Sequence, residues 1–361
     1  MEMRPQSVLP SGAMGDHGAT DRECMTRAIA AAARVRCATS PNPWVGAVLR
    51  TPDGELYEGA TGEPGEAHAE VMALAAAGGA ASGGTLYVTL EPCVHHGRTP
   101  PCVDAVLAAG VARVVVGMVD PDERVSGGGI AALRDAGVDV EVGLFEERVT
   151  AQLAPYIKHR RTGRPFVVLK LASSLDGGTA APDGSSQWIT CAEARADGHR
   201  IRAESDAILV GAGTIRRDDP SLTVRDYRPP VAPIQRSVDP MRVVLGGVPP
   251  DARVQPCREM RGDLGDVLDE LGSDGVLQVV VEGGATVAGA FHRSGLVDRY
   301  VIYMAPALFG GDDMPGIFAG LGAYTIDDLW RGRFVSVERV GTDLRVELAP
   351  PEPDGGSEGT A

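Results

Sequence analysis

The sequence lacks a long apolar run, and no segment approaches the roughly 20 consecutive apolar residues that a membrane-spanning helix needs. Its first residues also lack the continuous apolar stretch of a secretory signal, so we expect an intracellular, cytoplasmic protein. Aromatic residues make up only 4%, but the hydrophobic fraction of 43% is ordinary for a globular protein. At 361 residues, the chain is long enough for two domains of ordinary size.

Positive charge is also scarce: the sequence has 34 Lys and Arg residues and 49 Asp and Glu residues, which gives a formal net charge of −15. A protein whose main partner is DNA or RNA needs a basic face to replace the phosphate counterions, so we expect no nucleic-acid partner. The six cysteines are few and unevenly spread. That usage favours reduced thiols or metal ligands over a disulfide framework.

The chain divides into two series in which short apolar strands alternate with helices. We predict a first domain over 21–149, a linker over 150–165 that contains the basic run KHRRTGRP, and a second domain over 166–349. Residues 1–20 and 350–361 are rich in Gly, Pro and Ser and predict disordered tails. Near-continuous apolar strands separated by helices indicate an α/β fold with mostly parallel sheets covered on both faces. Asp21 is expected to cap the first helix.

Three short pieces carry the chemistry of the first domain: His68-Ala69-Glu70, Pro92-Cys93 and Pro101-Cys102. One imidazole and two thiolates supply three zinc ligands and leave the fourth tetrahedral position open for water, as a catalytic zinc site requires. The ion lowers the pKa of that water, which can then attack a ring carbon bearing an amine. Glu70 is the candidate that moves the proton to the departing ammonia.

The spacing of this constellation sets a geometric condition. Residues two apart point to nearly opposite sides of a helix, so His68 and Glu70 can face one ion only at a helix's first turn. Cys93 and Cys102 each follow a proline and are expected at or near a helix start, where the helix dipole favours a thiolate. The eight residues VHHGRTPP between the cysteines should form a loop over the site.

Two interpretations without a catalytic site stay open at this point. Each residue alone is more often a surface histidine or a buried hydrophobic cysteine than a ligand. A structural zinc is also compatible with the pattern, with His95 or His96 as a fourth ligand. The three pieces together favour the catalytic site, which matches the zinc-deaminase signature H-x-E…P-C-x-x-C except for the longer spacing between the cysteines.

The second series carries glycine-rich turns after strands. In VVVEGGATVAGAF, Gly283-Gly284 follow a strand and open a helix whose backbone N–H groups can hold a phosphate. The second turn, Gly211-Ala212-Gly213, starts like G-x-G-x-x-G but has Arg216 at the third glycine position, so a Rossmann assignment is not supported. The residues by themselves predict only a phosphate-bearing cofactor or substrate on an α/β domain.

The two halves together resemble the bifunctional deaminase–reductases of riboflavin biosynthesis. The resemblance rests on SPNPWVGAV, GEAHAEV, VTLEPCVHHGRTPPC and DPDERVSGGG in the first half, and on LKLASSLDG, SSQWIT, HRIRAESDAILVGAGT, DDPSLTVR and VEGGATVAGAF in the second. It implies a cytidine-deaminase-like three-layer α/β/α domain followed by a dihydrofolate-reductase-like α/β domain. The implied substrate is a phosphorylated pyrimidine, 2,5-diamino-6-ribosylamino-4(3H)-pyrimidinone 5′-phosphate, deaminated with Zn²⁺ and then reduced with NADPH from a ribosyl to a ribityl chain. It also implies a homo-oligomer and no membrane partner.

The resemblance also assigns residues by position. It implies zinc ligands at His68, Cys93 and Cys102, proton transfer by Glu70 and contact of Asn42 with the pyrimidine. The implied NADPH-binding residues are Ala172, Trp188, Thr214, Asp218, Gly284, Ala285, Thr286, Val287, Ala288, Gly289 and Ala290. The residues implied to hold the sugar phosphate are Ser186, Arg202, Leu222, Arg225 and Glu282.

Several positions depart from the family's pattern. Val94 stands where a serine is common, Gly246 where many members have Asp, and Asp122-Glu123 where Asn-Pro is usual. The stretch 249–275 is short, so a strand–helix unit is expected to be missing or reduced. These departures concern cofactor preference and the reductase more than the deaminase.

Three rival hypotheses remain. The first is a zinc deaminase with a degenerate second domain. The second is a deaminase of nucleosides or RNA, and the third is a zinc-stabilised binding module without catalysis. NADPH oxidation, activity on cytidine or RNA, and the effect of replacing Glu70 discriminate among them.

Overall fold

The computed structural model describes residues 20–95, 97, 99–123, 125–233 and 237–351. The predicted tails therefore lie almost wholly outside the described residues. Two sheets organise the rest of the chain, one of five strands and one of eight. All six cysteines are free thiols, as their usage predicted. In the described part of the chain, no helix has both the length and the apolar character to cross a bilayer.

The first sheet has the strand order β2-β1-β3-β4-β5. Its elements, in chain order, are α1 (Asp21–Arg34), β1 (Gly46–Arg50), β2 (Leu56–Ala60), α2 (Ala69–Ala77), β3 (Thr85–Leu90), α3 (Cys102–Ala108), β4 (Arg113–Met118), α4 (Gly128–Asp135) and β5 (Asp139–Val142). β1 runs antiparallel to both β2 and β3, while β3, β4 and β5 are parallel. The expectation of a mostly parallel sheet was wrong here, because the half-buried strand LYEGA has too little apolar character to be recognised.

Three layers form because alternate residues of the central strands face opposite ways. Val48, Tyr87 and Val115 pack with residues of α1 on one face. The intervening residues of the same strands pack with apolar residues of α2, α3 and α4 on the other. The predicted α/β/α layering is confirmed.

The cap of α1 is Thr20 rather than the predicted Asp21. The Thr20 hydroxyl accepts a hydrogen bond from Glu23 N, and the Glu23 carboxylate accepts one from Thr20 N, which is a capping box. Asp21 instead accepts hydrogen bonds from Tyr87 Oη at 2.6 Å and Arg113 at 2.8 Å. These contacts anchor the start of α1 to the sheet.

The predicted linker 150–165 is mostly helical and packed. It contains the end of α5 (Glu146–Gln152) and all of α6 (Ala154–Thr162). Tyr156 and Ile157 join the core of the first domain. Lys158 Nζ meets Asp298 at 2.5 Å and His159 Nε2 lies 2.9 Å from Gly272 O, both in the second domain. α6 therefore lies between the two domains and contacts both.

The second sheet has the order β12-β13-β11-β6-β10-β7-β8-β9. Its elements are β6 (Phe166–Ser174), α7 (Ala192–Ala203), β7 (Ala207–Gly211), α8 (Ala212–Asp218), β8 (Met241–Leu245), β9 (Arg258–Met260), α9 (Leu264–Ser273), β10 (Gln278–Val281), α10 (Ala285–Arg293), β11 (Arg299–Ala305), β12 (Arg333–Val340) and β13 (Asp343–Ala349). The six strands from β11 to β9 are parallel, and the predicted closing hairpin β12–β13 adds an antiparallel edge. The short stretch 249–275 holds the three-residue strand β9, which the sequence analysis missed.

Close packing at the junction between the domains gives a first prediction. A Cβ on Gly272, near the end of α9, would lie 1.8 Å from Gly163 O just after α6, and backbone cannot give way cheaply. We expect Gly272→Ala to destabilise the protein by about 1–3 kcal/mol because it overpacks this contact. Calorimetry should show a lowered Tm.

Gly213→Ala is the matched control, because Gly213 is also helical and a Cβ there has open space. An unchanged Tm for Gly272→Ala would show that the junction is not tightly packed in solution.

Candidate active sites

His68, Cys93 and Cys102 converge on one point. One ligand atom from each lies within 4.8 Å of the others. His68 Nδ1 is 3.2 Å from Cys102 Sγ and 3.6 Å from Cys93 Sγ, so Nδ1 is the nitrogen that faces the sulfurs. Thr99 Oγ1 lies 3.5 Å from the other ring nitrogen, where a hydrogen bond can hold the ring's orientation. A nitrogen and two sulfurs at this spacing fit a tetrahedral zinc ion.

Local structure explains how the three ligands meet. His68 is the N-cap of α2 and Glu70 is in its first turn, so the geometric condition set by their spacing is met. Cys102 is the first residue of α3, as expected. Cys93 was also expected at a helix start but lies in the loop after β3. The Cys102 backbone N–H donates to Cys93 Sγ at 3.4 Å, so the start of α3 still faces that sulfur.

The thiols are electrostatically prepared for a cation. The hydrogen bond from the Cys102 thiol, together with His68, lowers the pKa of Cys93. The same pairing raises the pKa of Cys102. A coordinated divalent ion would deprotonate both thiol ligands, so that each sulfur binds as a thiolate and the protons leave to solvent.

Glu70 is buried beside the three ligands and is the acid–base candidate. Only 3% of its surface is exposed, and burial raises its pKa to about 7. Proximity to Cys102 acts in the opposite direction and shows how near the carboxyl is to the ligands. Glu70 is therefore placed next to the ion site without being part of the ligand cluster.

A cavity of about 340 Å³ opens onto this site. Asn42 lines it, and its contact with the pyrimidine stays a prediction. The sequence analysis assigned no role to three other lining residues: Asp120, Tyr156 and Arg160. Burial raises the pKa of Asp120 to about 6, and its Oδ1 accepts a hydrogen bond from Tyr156 Oη at 3.3 Å. Asp120 follows β4 at the same sheet edge as Cys93 after β3, so strand order could have indicated it.

Of the two proposed fourth ligands, the structure describes His95. His95 lines the cavity but is absent from the ligand cluster found among the described residues. His96 lies outside the described residues. The described part of the chain thus supplies three ligands and a cavity, the arrangement of a catalytic rather than a structural zinc site.

Glu91, immediately before Pro92-Cys93, holds the loop that carries Asp120. Its buried carboxylate accepts four backbone hydrogen bonds of 2.8–3.2 Å, two at each oxygen. The donors are Asp120, Gly127, Gly129 and Ile130, the last three at the start of α4. A Cβ on Gly129 would lie 2.0 Å from Pro92 O, which shows how closely α4 approaches this segment. Sequence reasoning missed this role.

In the second domain, the predicted pair Arg202 and Glu282 meet. Arg202 Nε and its second nitrogen bind the Glu282 carboxylate at 2.6 and 2.9 Å. Burial alone would raise the pKa of Glu282, but Arg202 lowers it to about 2. Lys170 Nζ is 4.0 Å from the same carboxylate, and Arg225 N donates to His199 Nδ1 at 3.3 Å. Lys170 and His199 were not assigned to this cluster from the sequence.

The predicted phosphate-holding turn has the expected geometry. Glu282 follows β10, and Gly284 is the N-cap of α10 without a side-chain cap. A Cβ on Gly283 would lie 2.5 Å from Val287 Cβ, so only glycine lets α10 start this close to the sheet. Gly284 and Thr286 are exposed at the start of the helix. Its uncapped N–H groups fit an anionic group such as a cofactor phosphate.

The other predicted residues of this domain are spread around these features. Ser186 and Trp188 line a second cavity of about 260 Å³, and 65% of Trp188 is exposed. Ala172 lies on β6, and Thr214 and Asp218 lie on α8, with Thr214 Oγ1 near Gly284. The side chains of Ala288 and Leu222 are buried in the core of the second domain, and their predicted contacts with a ligand stay predictions. The remaining predicted residues, with their places, are Ala285, Val287, Gly289 and Ala290 on α10 and Arg225 in the loop after α8.

Two of the departures from the family's pattern have a physical explanation. Gly246 has a φ of +112°, which side chains rarely adopt, and a Cβ there would approach Ala212 Cβ at 3.0 Å. Val94 packs against the core of the first domain and next to Gly128. Asp122 lines the cavity of the first domain, as its place after Asp120 indicated.

Three zinc ligands beside a buried glutamate in an α/β/α domain, and a phosphate-holding turn on a second sheet, define the class: a zinc-dependent hydrolase joined to a domain that binds a phosphate-bearing cofactor or substrate. Comparison with known proteins agrees. Residues 19–118 match the cytidine and deoxycytidylate deaminase zinc-binding region, and residues 165–346 match the RibD C-terminal domain. The chain belongs to the RibD family of bifunctional riboflavin-biosynthesis enzymes, with a Zn²⁺-dependent deaminase domain and an NADPH-dependent reductase domain.

The chain is similar to relatives of full length. The riboflavin biosynthesis protein RibD of Mycobacterium tuberculosis is 44% identical over 90% of this chain and 96% of the relative. That of Escherichia coli is 41% identical over 91% and 99%. Among solved structures, Acinetobacter baumannii RibD, form 1, matches with a TM-score of 0.85 and 36% identity over 92% and 99% of the two chains. The predicted family and fold class are confirmed.

The four hydrogen bonds to Glu91 give a second prediction. In Glu91→Gln an amide NH₂ replaces one oxygen and faces backbone N–H groups, so the loop carrying Asp120 loses its anchor. We expect the deaminase kcat/KM to fall about 10- to 100-fold, because small displacements of site residues are costly. The reductase rate should not change.

Glu147→Gln, an exposed glutamate in the first turn of α5, is the control. A deaminase rate in Glu91→Gln equal to that of this control would show that the loop does not depend on the carboxylate.

Proposed function

We propose that the first domain hydrolyses the 2-amino group of 2,5-diamino-6-ribosylamino-4(3H)-pyrimidinone 5′-phosphate. The observation that carries this proposal is a cavity lined by Asn42, Glu70, His68 and Cys93, beside the cluster of three ligand atoms that Cys102 completes. A solved Thermotoga maritima relative, 32% identical with a TM-score of 0.81, is described as a diaminohydroxyphosphoribosylaminopyrimidine deaminase/5-amino-6-(5-phosphoribosylamino)uracil reductase. Its described activity supports this substrate.

His68, Cys93 and Cys102 are proposed to hold the zinc ion, which polarises water for attack on the amino-bearing carbon when bound. Glu70 accepts the proton of the attacking water and delivers it to the leaving nitrogen as the carbon–nitrogen bond breaks. The products are a ring carbonyl and ammonia. Asn42 orients the ring through its amide.

The second domain is proposed to reduce the ribosyl group of the deaminated product to a ribityl chain with hydride from NADPH. The first turn of α10, from Gly284 to Thr286, holds a cofactor phosphate, with Thr214 beside it. Arg202, Arg225 and Glu282 hold the sugar phosphate end of the substrate. Lys170 joins this group because it is the nearest further cation to Glu282.

A homo-oligomer is also proposed. Large apolar side chains are exposed in the segment before β12 and on β12 itself, which is the edge strand of the second sheet. The most exposed are Leu321, Tyr324, Ile326, Phe334 and Val337. An exposed apolar patch beside an open sheet edge is typical of an interface.

A paired set of variants tests the zinc chemistry. Glu70→Gln should keep zinc but lose deamination by about 10²- to 10⁴-fold, because the proton carrier is gone while the ligands remain. Cys102→Ser should lose zinc and activity together. Metal analysis and an assay for released ammonia separate the two outcomes.

Retention of full deamination in Glu70→Gln would contradict the assigned role and favour a zinc-stabilised binding module. Activity on cytidine or RNA, with none on the diaminopyrimidine, would favour a nucleoside or RNA deaminase.

Thr286→Asp tests the cofactor site. A carboxylate in the first turn of α10 suits the helix dipole, so folding should be unaffected, but it repels a phosphate at the same N–H groups. We expect the KM for NADPH to rise about tenfold or more, since one lost charge-assisted contact has that size. NADPH oxidation with the deaminated intermediate is the measurement.

Thr286→Ser is the matched control, and deamination serves as an internal control for folding. Wild-type protein that oxidises no NADPH would favour the rival with a degenerate reductase. A Thr286→Asp variant with an unchanged KM would remove α10 from the cofactor site.

A further inference from the structure

Carboxylates outnumber cationic side chains among the described residues that line the deaminase cavity. Five carboxylates contribute to its described wall: Glu66, Glu70, Glu91, Asp120 and Asp122. Among the lining residues that the structure describes, Arg160 is the one Lys or Arg. A substrate that carries a phosphate meets repulsion from this wall unless a cation compensates it.

Arg160 reaches the cavity from α6, the helix between the domains. Tyr156 and Arg160 are four residues apart and therefore lie on the same face of that helix. The Arg160 guanidinium stacks over the Tyr156 ring at 5.2 Å from the centroid. The Tyr156 hydroxyl is fixed in turn by Asp120. The stack holds the guanidinium in place.

The guanidinium has no anionic partner in the described part of the chain. Its Nε is buried and makes no hydrogen bond, and no carboxylate described lies within ion-pair distance of it. A buried donor left without a partner costs about 1–3 kcal/mol, so such groups usually have a ligand or water to bind. Arginine's planar fork matches the oxygens of a phosphate in bidentate fashion.

We propose that Arg160 binds the 5′-phosphate of the pyrimidine substrate in the deaminase cavity. This assignment rests on the proposed function of the first domain and deepens it. The phosphate's charge is met by a residue outside the 21–149 segment that carries the zinc ligands. The neighbouring residues Lys158 and His159, which contact the second domain, fix α6 and hence Arg160 in position.

Deamination of two substrates tests the proposal: the phosphorylated compound and the same compound without its phosphate. In Arg160→Ala we expect the KM for the phosphorylated substrate to rise about 10- to 100-fold with kcat within about twofold, the loss of a charge-assisted hydrogen bond. The kcat/KM for the dephosphorylated substrate should match that of the wild type. Arg160→Lys should restore part of the difference.

Arg161→Ala is the matched control, since Arg161 is the next residue on the same helix and is exposed. Inorganic phosphate should inhibit the wild type competitively and Arg160→Ala at least about tenfold more weakly.

Equal losses on both substrates would overturn the proposal, because they would mean that Arg160 supports the cavity through its stack on Tyr156. Unchanged kinetics on both would overturn it as well. Wild-type protein that deaminates neither compound would instead refute the proposed function, so the two failures are distinguishable. Reduction of separately supplied deaminated intermediate shows that each variant is folded.

Discussion

Convergence of one imidazole nitrogen and two sulfurs on a single point is the constraint on which the first domain depends. The three atoms come from the start of α2, the loop after β3 and the start of α3, so each of these segments must stop at a fixed place. Glu91 fixes the middle segment from behind by binding the backbone of the next loop. Glu91 positions the loops of the site, and Glu70 is the candidate for proton transfer, so the two roles belong to two carboxylates in different surroundings. Glu91 is satisfied by four donors, whereas burial of Glu70 favours its protonated form.

Much of this site was predictable from the sequence because its residues occur in short, chemically specific pieces. His68, Glu70 and Cys102 are next to helix starts that proline and apolar patterning indicate. Glu91 and Asp120 were not recognised, since a buried carboxylate bound by backbone N–H groups has no distinctive spacing in sequence. β2 and β9 were missed for a related reason: one is half-buried and the other has three residues, so neither shows a clear apolar period.

The second domain was harder to predict residue by residue. The glycine turn before α10 was evident because Gly283 leaves no room for a side chain. The core positions of Ala288 and Leu222 could not be inferred, since small or apolar residues in a ligand-binding segment look the same whether they face the ligand or the core. The ion pair of Arg202 and Glu282 joins α7 to the end of β10 across 80 positions, and only the strand order of the sheet brings them together.

The helix α6 has a consequence for how such an enzyme can be divided. Its tyrosine and arginine complete one wall of the hydrolytic pocket, yet its lysine and histidine rest on the reductase. A cut in the gene just after β5 would therefore separate the metal from part of the surface that faces its substrate. A natural or engineered protein that catalyses the first reaction alone must therefore keep α6. It must also replace the surface of the second domain that α6 packs against.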